Sequence, residues 1–279
     1  MAFKDILLTL TSYPEPTPIS VMQDAVSVAA SLGAHLSAIS CEVHVEVPGH
    51  FLAGSIVNLP GLVAGEAEKS RQNAKDLLAA FDEAAEKAGV SHELFLEKSL
   101  TYKVPDLLVE YARLRDLTIM PVPESYDQWY ADTVIFETGR PTLVLPMKSR
   151  SRPFEIGTVA VAWDFSRAAA RAVSDSLPML EKAKHVRVVT VVNEKVLDTK
   201  HSAEELANNL ARHGIDVVLD KLDAGGKPIG QILESYVLSH GIDLLAMGAY
   251  GHSRWREFVL GGATKSLLSR PPLPILFSH

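Results

Sequence analysis

The chain has 279 residues, enough for one large or two ordinary domains. At 47% hydrophobic and 22% charged it has the composition of a globular protein with a sizeable core. A net charge of -7 excludes a global basic field for nucleic acid or an acidic membrane, and a single cysteine, Cys41, excludes an internal disulfide framework.

Phe3-Lys4-Asp5-Ile6-Leu7-Leu8 already reads as a strand. No charged start, apolar stretch and cleavage site precedes it, so no signal peptide is expected and the expected location is cytoplasmic. The strand Ile6–Thr11 leads to an alanine-rich helix over Ser20–Leu32 and a strand over Leu36–Cys41. Phe51 to Ala64 is apolar but broken by Asn58 and Pro60, and it falls short of the ~20 residues that span a bilayer. The overlapping stretch His50–Val57 is apolar for a loop and is expected to cover a sheet edge or pack at a subunit contact, with a lid or ligand pocket as the alternative. A long amphipathic helix follows from Glu66 to Lys87, with Leu77, Leu78, Phe81 and Ala85 at helical spacing and Gly89 as its stop. A strand over Ser91–Glu97, a helix opened by Lys103-Val104-Pro105, and strands over Asp116–Met120 and Thr142–Leu145 complete this half.

Beyond a polar, basic joint at Lys148–Pro153 the same order recurs. Val159–Asp164 corresponds to Ile6–Thr11, and a helix over Arg167–Lys182 follows, with Ser166 as its N-cap. Then come a strand over Val186–Val192, a helix over Ser202–His213 stopped by Gly214, and a strand over Asp216–Leu222. Lys227-Pro228 opens a third helix with Pro228 at its first position, and strands follow at Asp243–Met247 and Pro274–Phe277. Two copies of β-α-β-α-β-α-β-α-β predict an α/β fold of two tandem doubly wound, Rossmann-like domains, residues 1–148 and 153–279. Each is a five-stranded, mainly parallel sheet of order 3-2-1-4-5 flanked by helices.

The two copies are not equal in length. The separation between matching positions shrinks from the Thr11–Asp164 pair to the Met120–Met247 pair, and widens again at the Pro141–Pro274 pair. The shrinkage predicts an insertion in the first half, most simply Val47 to Gly65. The widening predicts extra residues after the fourth strand of the second half. That is where a glycine-rich stretch lies: Gly248, two residues, Gly251, nine residues, Gly261. A strand running into glycines and then a helix can hold an anion, because glycine lets the backbone approach closely and the helix N-terminus supplies N–H donors. The spacing matches neither the phosphate loop ending Gly-Lys-Ser/Thr nor the close Gly-x-Gly-x-x-Gly fingerprint. The first half reads Pro121-Val122-Pro123-Glu124-Ser125 at the same point, with two residues lacking N–H donors and a carboxylate that repels phosphate.

In open parallel sheets ligands sit beyond the carboxyl ends of the strands where strand order reverses, here between the first and fourth strands. In the second half those ends are Asp164 and Met247-Gly248. A carboxylate facing an anion cradle suits a nucleotide. Asp164 is equally well explained as a cap on the turn into Ser166. Arg254 and His252 lie in the stretch and are either phosphate contacts or solvated loop residues. Lys227 follows Gly225-Gly226 and either points toward the same mouth or marks a turn into the helix. Cys41, His44 and His50 do not have metal-ligand spacing. No Ser-His-Asp set, paired carboxylates or acidic Mg²⁺ cluster is evident, which disfavours a dedicated hydrolase.

In these residues the chain resembles the universal stress protein family, as a tandem of two such domains. The resemblance covers nearly all of both halves, and its specific part is the Gly-x2-Gly-x9-Gly stretch ending at Gly261. Members carrying that stretch bind ATP or AMP, with Mg²⁺ accompanying ATP. The resemblance places the adenosine-binding acid on Asp164, a base-contacting Val on Val191 or a neighbour, and the phosphate contacts on Gly248, Gly251, Gly261 and the residue after it, Gly262; Met247 and Arg254 complete the expected nucleotide-binding set. The family has Ser or Thr after the last glycine; Gly262 stands there, so one side-chain donor is missing, a loss of about 1–2 kcal/mol when the acceptor is charged.

The resemblance implies a cytoplasmic sensor or regulatory module whose degenerate first half pairs with the second as an intramolecular pseudo-dimer, with a homodimer and a regulatory protein partner as further expectations. The alternatives are a nucleotide-free interaction scaffold and a weak ATPase.

Overall fold

The computed structural model describes residues 2–44, 59–123, 129–148, 154–192, 201–249 and 262–279. In the first half β1 (Asp5–Leu10) leads to α1 (Ile19–Leu32), β2 (His35–His44), α2 (Leu59–Ala88) and β3 (His92–Leu100). A single 3-10 turn, Thr101–Lys103, runs into α3 (Val104–Arg113), then β4 (Leu117–Val122), α4 (Trp129–Glu137) and β5 (Thr142–Pro146). The second half repeats the order with β6 (Thr158–Ala162), α5 (Arg167–Leu180), β7 (His185–Val192), α6 (Ala203–Ala211) and β8 (Val217–Asp223). It closes with α7 (Ile229–Ser239), β9 (Leu244–Gly248), α8 (Gly262–Ser269) and β10 (Ile275–Ser278).

All ten strands form one sheet, in the order β3-β2-β1-β4-β5-β10-β9-β6-β7-β8. Each half is the expected 3-2-1-4-5 arrangement, parallel throughout. The halves join where β5 pairs antiparallel with β10, Thr142 facing Phe277, Leu143 facing Leu276 and Val144 facing Ile275.

The strand sequences explain why both faces are covered. Along β1, Ile6, Leu8 and Leu10 point into one hydrophobic core and Leu7 into the other. Such continuous apolar runs mark strands buried on both sides. One core takes α1, α2, α5 and α6, through residues such as Met22, Phe81, Met179 and Leu210. The other takes α3, α4, α7 and α8, through Leu108, Val134, Leu233 and Leu267. Each core draws on both halves, and the Phe154 N–H further ties the second half to the first by donating to Asp24 Oδ1 on α1 at 3.0 Å.

The expected helix stops hold: Gly89 and Gly214 have φ of 65° and 75°, left-handed values that glycine adopts without a Cβ penalty. Several boundaries shift by one to three residues, among them β2 and β3, which run on to His44 and Leu100, and β6, which ends at Ala162; two further differences concern the start of a helix. Helix α2 begins at Leu59 rather than Glu66, so Leu59–Gly65 is helix and not inserted loop; residues 45–58 lie outside the described part. Pro60 is tolerated because a first-turn residue has no intrahelical N–H bond to lose. At 30 residues against nine in α6, the helix itself holds much of the first half's surplus. Pro228 is the N-cap of α7 rather than its first residue. Among the described residues no helix is long and apolar enough to cross a membrane.

Candidate functional site

The register of the second half brings three strand ends together. Val161 on β6 faces Val188 on β7 and Ala246 on β9. Asp164, Val191 and Ala249 each lie three residues further along, and Met247 and Gly248 close β9 just below them. The chain leaves β6 for α5 on one face of the sheet and β9 for α8 on the other. This is the reversal of strand order at which a doubly wound sheet leaves a crevice.

Asp164 shapes the exit from β6. Trp163 N–H still donates to Val189 O at 2.8 Å, and then the chain turns sharply, with Phe165 at φ 61°. A non-glycine residue there carries strain on the order of 1–2 kcal/mol. Two side-chain bonds hold the turn: Asp164 Oδ1 accepts the Ser166 N–H at 3.0 Å, and Ser166 Oγ accepts the Ala169 N–H at 3.0 Å. Ser166 is thus the N-cap that the sequence predicts, and Asp164 does act as a turn-holding acceptor.

The glycines divide. A Cβ on Gly248 would lie 2.5 Å from the Ala168 carbonyl carbon and 2.7 Å from the Ala169 nitrogen, so this glycine lets the first turn of α5 dock against the end of β9. Close strand–helix packing is therefore its structural role, whatever else it contacts. Gly262, the first residue of α8, is exposed, and a Cβ there would meet nothing within 4 Å among the described residues. Gly251, Arg254 and Gly261, with His252, lie outside the described residues. Lys227 sits in the turn entering α7, its N–H donating to Ala224 O at 2.9 Å.

Two residues absent from the sequence reading stand at the foot of the glycine stretch. Ala249 N–H donates to Ser278 O at 2.7 Å, and the His279 Nδ1 lies 3.2 Å from Ala249 O. The His279 ring stacks on Phe136 of α4, with centroids 4.4 Å apart. Nothing local signals this contact, because it arises from the antiparallel docking of the two halves. In the first half, Pro121 and Val122 form the end of β4 and Pro123 follows; residues 124–128 lie outside the described part.

Neither protein-family models nor curated proteins give a match to the chain. Solved structures do. A universal stress protein from Archaeoglobus fulgidus DSM 4304 superposes with a TM-score of 0.72 at 15% identity, over 99% of this chain and 97% of its own. A putative universal stress protein from Pseudomonas aeruginosa UCBPP-PA14 gives 0.59 at 12% identity, over 99% and 93%. A protein of unknown function from Pseudomonas aeruginosa PAO1 gives 0.55 at 11% identity, over 98% and 92%. The chain has the doubly wound α/β fold of universal stress proteins. It carries that fold twice, as a tandem.

The packing of Gly248 sets a direct test. Gly248→Val forces α5 away from β9 and should destabilise the ligand-free protein by about 1–3 kcal/mol, the usual penalty for overpacking. Thermal unfolding checks this; an unchanged midpoint would mean that α5 does not dock on Gly248.

Proposed function

We propose that the protein is a tandem universal-stress-type module that binds an adenine nucleotide, ATP or AMP, at the second half only, and that it acts in the cytoplasm as a sensor or regulator. The observation that carries this reading is the convergence of Asp164, Val191 and Met247-Gly248 at one end of the sheet, where a glycine-rich stretch then leads into α8. In this reading Asp164 accepts hydrogen bonds from ribose hydroxyls or the base amine, and Val191 packs against the base. Backbone N–H groups from Gly248, Gly251, Gly261 and Gly262 meet the phosphates, with Arg254 adding charge. Holding the turn and binding ribose are compatible, because an ionised carboxylate offers about four acceptor sites. A Mg²⁺ arriving with ATP would be held chiefly by phosphate oxygens and water, its usual manner in nucleotide sites. Among the described residues no cluster of three or more His, Cys, Asp or Glu side chains is placed to hold a metal.

Calorimetric titration with ATP, ADP and AMP tests the reading, and no heat at millimolar nucleotide would leave the interaction scaffold as the better account. Two variants sharpen the test. Asp164→Asn keeps an oxygen for the Ser166 N–H but removes the charge, so affinity should fall about tenfold or more with little change in thermal stability. Unchanged affinity would make Asp164 a turn residue and nothing more. Gly262→Ser restores a hydroxyl where a side chain meets no obstruction among the described residues, and should tighten binding roughly 5- to 30-fold, the equivalent of about 1–2 kcal/mol. Equal or weaker binding would place the phosphates away from the start of α8.

A further inference from the structure

The first half, whose loop lacks glycines, nonetheless contains a cavity of about 250 Å³ at its own reversal of strand order. The cavity lies between the ends of β1, β2 and β4 and is closed by the first turns of α3 and α4. It opens to solvent beside Pro14 and Glu15, and its inner wall belongs to the hydrophobic core: Leu10, Ile39, Val43, Val104, Leu108 and Met120 line it, all at most 7% exposed. It exceeds the ~150 Å³ engineered apolar cavity that stays dry and takes up benzene, so it has room for a medium-length alkyl chain or a two-ring system.

The described part of the wall does not suit a nucleotide. Among the described lining residues there is no Lys, Arg or His, and the one ionisable acid is Glu15. Pro14, Pro121 and Pro123 on the wall have no N–H to offer. The start of α3 is closed to an anion as well: Val104 N–H already donates to Thr101 O, and Pro105 has no N–H. Cys41 on the wall keeps its proton, because burial and then the Glu97 charge push its thiol up to about 12. What remains polar is a small set of hydroxyls. Thr9, Thr11 and Thr101 line the space, and the Tyr130 hydroxyl at its edge donates to Thr101 O at 2.6 Å. The Thr101 hydroxyl donates to His44 O at 3.3 Å. A largely apolar cavity with a few hydroxyl-bearing residues on its wall suits a small ligand.

We propose that the first half binds a small uncharged molecule, mainly apolar with a hydroxyl or carbonyl at one end, in this cavity. The site is separate from the proposed nucleotide site and does not depend on it. It makes the tandem a two-ligand protein, with chemically different ligands at the two mouths.

The test uses the full chain and straight-chain alcohols as probes, followed by calorimetry and by saturation transfer from protein to ligand in NMR. Octan-1-ol should bind, and hexan-1-ol should bind at least tenfold more weakly, since each buried methylene contributes roughly a fourfold factor. Octanoate, with the same chain length but an anionic end, should bind at least tenfold more weakly than octan-1-ol. Ala131→Leu, which fills the cavity from α4, should weaken octan-1-ol at least tenfold while ATP titration is unchanged from the parent. Leu108→Phe, from α3, serves as a second filler should the first not fold. Absence of octan-1-ol binding up to its solubility, octanoate binding as tightly as the alcohol, or unchanged binding in both variants would each overturn the proposal.

Discussion

Three antiparallel residue pairs, Thr142 with Phe277, Leu143 with Leu276 and Val144 with Ile275, join the two halves into one sheet. All six residues are fully buried. Each half on its own would end in an exposed, apolar inner edge strand, an open template for pairing with another chain. The pairing removes both edges at once and lets each hydrophobic core continue across the joint. It also fixes direction. Because β5 and β10 run antiparallel while every other neighbour is parallel, the carboxyl ends of the two half-sheets point to opposite ends of the molecule. The contact of His279 with Phe136 and Ala249 follows from the same docking, so the foot of the glycine stretch rests on the joint between the halves.

On this frame the two crevices diverged in chemistry while keeping their geometry. The second has a carboxylate at the end of β6, a glycine where β9 meets α5, and a long connection into α8. The first has prolines at the end of β4, no cation among its described lining residues, and a void walled by aliphatic side chains. A mainly apolar cavity and a glycine-rich sequence running into a helix suit opposite kinds of ligand, since burying a charge without partners is far costlier than burying a methylene. On the proposed account one sheet supports two different recognition chemistries, one at each end.

Much of this was legible in the sequence, for identifiable reasons. Apolar runs such as Ile6–Leu8 and Leu244–Met247, separated by alanine-rich helices and repeated in order, determine a doubly wound topology almost by themselves. Ser166, Gly89 and Gly214 mark helix ends because their effects are local. The start of α2 was not legible, since Asn58 and Pro60 read as breakers although a proline costs nothing in a first turn. The role of Gly248 was only half legible: its spacing suggested close approach by a ligand, whereas the atoms that forbid a side chain are those of Ala168 and Ala169, far away in the chain. The strained Phe165, the His279 contact and the first-half cavity were not legible at all. Each depends on how elements dock, and no local pattern encodes a void or a ring stacked across two halves.

The central claim is that nucleotide recognition belongs to one crevice only, and the chain carries its own pair of reporters. Met120 at the end of β4 and Met247 at the end of β9 occupy matching positions in the two halves. With methyl-labelled methionine, NMR titration with AMP or ATP should shift the Met247 methyl and leave Met120 in place. A Met247 signal that does not move at millimolar nucleotide, or a Met120 signal that moves as far, would contradict the account.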